Sequence, residues 1–120
     1  MKKVLIVDNS SYMRMFIKKI VEKGGSYTML GAANKEDAME VFKNEKPEIV
    51  ILDLNMSEAT MDGITVLKDI MEISKETIVI IASAVKLEVV KEECIALGAK
   101  SFIKKPIDTE VLLKTLEEYK

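Results

Sequence analysis

Apolar residues in this chain fall into short, dense runs separated by longer stretches in which they recur every three or four positions. The dense runs are Val4-Leu5-Ile6-Val7, Ile49-Val50-Ile51-Leu52 and Ile78-Val79-Ile80-Ile81-Ala82, with a shorter one at Ser101-Phe102-Ile103-Lys104. Tyr27 to Ala32 carries a fainter pattern of the same kind. Such runs, rich in β-branched residues and bounded by polar or turn-forming positions, predict strands buried on both faces. The intervening stretches predict amphipathic helices. Met13, Phe16, Ile17, Ile20 and Val21 line the first, which Ser10 or Ser11 can cap and Gly24-Gly25 ends. Ala38, Val41 and Phe42 line the second, with Asn34 as cap, Asp37 at the reciprocal capping position and Pro47 closing the stretch. The third starts near Asp62 and buries Ile64, Leu67 and Met71. The fourth presents Leu87, Val90, Cys94 and Leu97 and closes at Gly98. The fifth is capped by Asp108 and presents Leu112, Thr115, Leu116 and Tyr119.

Strands and helices alternate strictly, which implies an α/β domain: a doubly wound sheet of five parallel strands with helices on both faces. We take the flavodoxin-like strand order 2-1-3-4-5, one of the common doubly wound orders. In that order strands one and three are neighbours. The 120 residues fit a single domain, 1–120, with the last helix consuming the chain and no output domain expected.

Composition narrows the class. Apolar residues at 48% and charged residues at 32% suit a globular protein with no membrane insertion. A net charge of −2 without a basic block argues against nucleic acid as a partner. The apolar run of the first strand is cut by Asp8 before it reaches signal-peptide length, and Cys94 is the single cysteine. Both point to a cytoplasmic protein. With no histidine in the chain, a histidine general base or histidine metal site is excluded.

The candidate chemistry lies at the carboxyl ends of the strands, where ligands bind in open α/β sheets. Asp8 and Asn9 follow the first strand, Asp53 the third, Ser83 ends the fourth and Lys105 follows the fifth. Taken singly, each has an ordinary explanation: a helix cap, a turn hydroxyl, a surface charge. Together, carboxylates, a hydroxyl and an ammonium suit a divalent cation and a phosphoryl group. Asp8, Asp53, the Asn55 backbone carbonyl and Asn9 offer oxygen donors of the kind Mg²⁺ prefers. Asp53 could itself attack phosphorus and form an aspartyl phosphate.

The ordered set Leu5-Ile6-Val7-Asp8-Asn9-Ser10, Asp53-Leu54-Asn55-Met56, Met61-Asp62-Gly63, Ala82-Ser83-Ala84 and Lys105-Pro106 resembles the receiver domain of two-component response regulators. The resemblance spans the whole chain, and the Met13-Arg14 pair is similar to stand-alone, chemotaxis-type regulators. It implies that Asp53 accepts a phosphoryl group from a histidine kinase or phosphotransfer protein, with Mg²⁺ held by Asp8, Asn9, Asp53 and the Asn55 carbonyl. It also implies that Lys105 contacts the phosphoryl group, that Ser83 moves toward it, and that Phe102 is the switch aromatic. A surface of helix four, strand five and helix five would then bind a downstream protein target. The chain would be no enzyme beyond catalysing its own phosphorylation and dephosphorylation, and its Lys105-Pro106 bond would be cis.

Three departures from the family pattern stand out. Asn9 replaces a second acidic residue, so weaker Mg²⁺ binding is expected. Ser57-Glu58-Ala59-Thr60 replaces a proline and its neighbour, lengthening the loop by two residues, with Glu58 as a substitute carboxylate. Val85 stands where many relatives carry a polar residue, which would slow hydrolysis of the phosphoryl group. The alternative reading is a pseudo-receiver, an unphosphorylated protein-binding module on the same fold. A flavodoxin reading lacks the glycine-containing phosphate loop after the first strand. An aspartyl phosphatase reading meets Asn55 where a second Asp is wanted.

Overall fold

A computed structural model describes residues 1–54, 62–84 and 88–119, Asp62 by its backbone. Ten elements alternate: β1 (Lys2–Val7), α1 (Ser11–Lys23), β2 (Tyr27–Ala32), α2 (Lys35–Glu45), β3 (Ile49–Leu52), α3 (Asp62–Ile73), β4 (Ile78–Ser83), α4 (Glu88–Ala96), β5 (Ser101–Lys104) and α5 (Thr109–Glu118). The strands form one parallel sheet in the order β2-β1-β3-β4-β5, as expected. Among the described residues no helix is long and apolar enough to cross a membrane.

Because successive strand side chains point to opposite faces, the apolar strands build two cores rather than one. Leu5, Val7, Val50, Leu52, Val79 and Ile81 face α2, α3 and α4, where they meet Phe42, Leu67 and Cys94. Val4, Ile6, Ile49, Ile51, Ile80 and Ile103 face α1 and α5, where they meet Ile17, Ile20, Leu112 and Leu116.

Helix ends follow local chemistry. The Ser10 hydroxyl accepts from the Met13 amide at 3.2 Å, so Ser10 rather than Ser11 caps α1. The Asn34 side chain accepts from the Asp37 amide at 2.9 Å, and the Asp37 carboxylate in turn accepts from the Asn34 side-chain amide at 3.3 Å. The Asp108 carboxylate accepts from the amides of Glu110 and Val111 at 2.9 and 3.2 Å. After α4, Gly98 N–H donates to the Ile95 carbonyl and Ala99 N–H to the Cys94 carbonyl, both at 3.0 Å. These are the paired bonds of a Schellman motif. Gly98 takes a φ of +118°, and a Cβ there would stand 2.6 Å from Met71 Sδ, so the position requires glycine.

The buried face of α3 differs from its predicted one. Val66, Leu67 and Ile70 are fully buried, whereas Ile64 and Met71 are only half-buried. Packed on the sheet beside α2, this helix buries a broader stripe than a single three-four spacing suggests. Leu87, expected on the α4 face, lies outside the described residues, and Cys94 is the buried residue of that helix.

Candidate functional site

The sheet register brings the acidic residues together. Val7 of β1 is opposite Leu52 of β3, so the residues that follow, Asp8 and Asp53, emerge side by side. Each is pinned by its main chain: Asp8 N–H donates to the Ala32 carbonyl at 3.1 Å, and Asp53 N–H to the Val7 carbonyl at 2.9 Å. Asp8 is 2% exposed and Asp53 6%. On the other side of β3, Ser83 ends β4 fully buried, and its carbonyl accepts from the Lys105 amide at 2.9 Å. The Lys105-Pro106 peptide bond is cis, as expected.

Lys105 closes the site. Its Nζ lies 2.8 Å from Asp8 Oδ2 and 3.7 Å from Asp53 Oδ1. One ammonium therefore lies within ion-pairing distance of two buried carboxylates. Buried charge is costly unless paired, and this contact pairs both carboxylates with Lys105. The donors are hard carboxylate oxygens converging on one positive centre, the chemistry that suits Mg²⁺. Among the described residues no three acidic, cysteine or histidine side chains are grouped to hold a metal. Among the described residues, Asp8 and Asp53 are the strand-end carboxylates that could serve as anionic ligands. Asn9 follows Asp8 directly and is exposed at the mouth of the site. Asn55, Glu58 and the Ser57–Thr60 segment, and Val85 beyond β4, lie outside the described residues.

Gly63, at the start of α3, shows how tightly the Asp53 segment is held. Its amide donates to the Leu54 carbonyl at 3.2 Å, and a Cβ on it would stand 2.5 Å from the Asp53 carbonyl oxygen. Any side chain there would push the β3 end, and Asp53 with it, out of place. Phe102 is half-buried on β5, opposite Ile81, and packs into the core shared by α2, α3 and α4.

Two contacts were not among those expected from the sequence. The Ser10 amide donates to Asp8 Oδ1 at 2.9 Å, and Arg14 Nη1 donates to the Asp8 carbonyl at 2.6 Å. Gly31, a glycine inside a strand, was the available signal for the second, because it marks a close approach. A cleft of about 620 Å³ lies at the opposite end of the sheet between Phe42, Pro47, Ile73 and Ile78, and its lining includes none of these site residues.

Residues 4–117 match the response regulator receiver domain. The chain belongs to that family. It is 38% identical over 117 residues to the chemotaxis protein CheY of Thermotoga maritima, covering 98% of this chain and 96% of that one. The CheY of Bacillus subtilis is 37% identical over 116 residues, with 97% and 95% covered. The crystal structure of the chemotaxis protein CheY4 of Vibrio cholerae superimposes with a TM-score of 0.87 at 30% identity, covering 98% of both chains. The receiver-domain fold and its kinship to chemotaxis regulators thus agree with the resemblance carried by the strand-end residues.

Proposed function

We propose that this receiver domain is a phosphoacceptor switch of a two-component relay, with Asp53 as the residue modified. The observation that carries the reading is the buried Asp8–Lys105–Asp53 cluster at the strand ends, with Ser83 on the neighbouring strand. An Asp53 carboxylate oxygen attacks the phosphorus of a phosphohistidine on a histidine kinase or phosphotransfer protein. The new P–O bond forms as the P–N bond breaks, and the electron pair leaves with the imidazole nitrogen, which takes a proton from solvent. Phosphoryl transfer depends mainly on positioning and charge neutralisation. Lys105 would follow the charge from the carboxylate to the phosphoryl oxygens, and the Ser83 hydroxyl would donate to one of them. Bound Mg²⁺, held by Asp8 and Asp53, would neutralise further charge on those oxygens.

The output follows from packing. Drawing Ser83 toward the phosphoryl group would vacate space beside Phe102, whose half-buried ring could then turn inward. Val89, Ile95 and Val111 are exposed apolar residues on α4 and α5, at 65%, 43% and 47% exposure. They suit a protein target that reads the α4–β5–α5 surface. The single cysteine is buried, in keeping with a cytoplasmic setting.

The test is labelling by acetyl phosphate or a kinase, with and without Mg²⁺, in wild type and Asp53→Asn. The expected result is Mg²⁺-dependent, acid-stable, base-labile label that the Asn variant lacks. Absence of label from wild type would favour the pseudo-receiver, an unphosphorylated binding module. Full labelling of the Asn variant would place the phosphoacceptor elsewhere.

A further inference from the structure

We infer that Arg14 is a positioning residue of the acidic site: its guanidinium fixes the Asp8–Asn9 peptide and so aims the side chains that would meet a divalent cation. The inference rests on the proposed use of that site. Asp8 has four hydrogen-bonding atoms, and each has a partner. Its amide donates to Ala32, Oδ1 accepts from the Ser10 amide, Oδ2 from Lys105, and the main-chain carbonyl from Arg14 at 2.6 Å. Past Val7 the strand ladder ends. The carbonyl that begins the Asp8–Asn9 peptide takes its donor from a side chain on α1 instead. A charge-assisted bond of this length is among the stronger ones available to a backbone oxygen.

Gly31 supplies the second observation. It sits inside β2, where glycine weakens a strand and typically marks a close approach by another group. A Cβ at that position would lie 3.5 Å from Arg14 Cδ and 3.8 Å from Nε. Alanine would touch the arginine stem without clash, whereas a branched side chain would displace it. Arg14 therefore lies along a track cleared on β2, within a cleft of about 300 Å³ also lined by Ile6, Met15 and Lys18.

Charge alone gives the opposite expectation. A guanidinium near Asp8 repels a divalent cation, so an electrostatic bystander, once removed, would let Mg²⁺ bind more tightly. A positioning residue, once removed, makes Mg²⁺ bind more weakly. The sign separates the two.

The experiment titrates Mg²⁺ into the full chain, following the amide resonances of Asn9 and Asp53, in wild type, Arg14→Met, Arg14→Lys, Gly31→Val and Lys18→Met. Labelling rates with acetyl phosphate are measured in parallel. Arg14→Met is expected to weaken Mg²⁺ binding roughly tenfold or more, the usual consequence of losing a group that orients a ligand. Gly31→Val should do the same while retaining the guanidinium, which guards against misfolding of the Met variant. Arg14→Lys should recover part of the loss, and Lys18→Met, which removes an equal charge from the same cleft, should change nothing. Equal or tighter Mg²⁺ binding by Arg14→Met, or an equal loss in Lys18→Met, would overturn the inference. If wild type binds Mg²⁺ but takes no label, the phosphoacceptor reading fails, and the affinities alone still decide the role of Arg14.

Discussion

Lys105 carries more of the architecture of the site than its single charge suggests. It counterbalances Asp8 at 2.8 Å and Asp53 at 3.7 Å, and its own amide ties β5 to Ser83. Removing one partner of a buried ion pair costs roughly 3–5 kcal/mol. Lys105 keeps some contact with solvent, so Lys105→Met is expected near the lower end of that range in EDTA. Mg²⁺ should restore much of the loss, because it replaces the missing cation; chemical denaturation with and without Mg²⁺ measures both. Cys94 gives a pH prediction. Burial, and secondarily the Glu93 carboxylate, push its thiol above the ordinary value of 9.0. The folded state therefore holds the thiol proton more tightly than the unfolded chain does. The resulting stability is fully present below about pH 9 and is lost as pH rises through the folded value. Denaturation midpoints between pH 8 and 10.5 should fall less steeply in Cys94→Ala than in wild type, each referred to its own value at pH 8.

At the scale of elements, the caps are the local devices that fix where helices begin. Asp108 satisfies two amides of α5, so Asp108→Ala is expected to cost about 0.5–2 kcal/mol, read from urea denaturation. Such signals were legible in the sequence, as were β1, β3 and β4, because dense apolar runs and capping residues act through neighbours in the chain. The strand-end set was legible too: four strands place Asp8, Asp53, Ser83 and Lys105 at one edge. The direct reach of Lys105 to both carboxylates was not, since it depends on one side chain crossing between strands. The Arg14 bond left only an indirect trace, the glycine at position 31, because a side chain that meets a main-chain carbonyl leaves no periodicity. The extra burial of Val66 and Ile70 depends on α2 packing beside α3, a contact between elements that no single helix pattern encodes.

At the scale of the whole molecule, large-to-small changes in either core should be costly. Leu112→Ala on α5 and Leu67→Ala on α3 are each expected to lose about 2–5 kcal/mol, since both residues are fully buried. Their effects on signalling should nevertheless differ. Phe102 packs with α3 and α4, while the next residue along β5, Ile103, packs with α1 and α5. The sheet is thus a bulkhead between two compartments, and the aromatic ring belongs to one of them. Loosening the Phe102 compartment with Leu67→Ala should change the fraction of chains that adopt the activated arrangement with beryllofluoride. Loosening the other with Leu112→Ala should lower stability and leave that fraction unchanged, as amide shifts across α4 would report. A chain built this way can accumulate substitutions behind the bulkhead, adjusting its durability to temperature or abundance without retuning the message it sends.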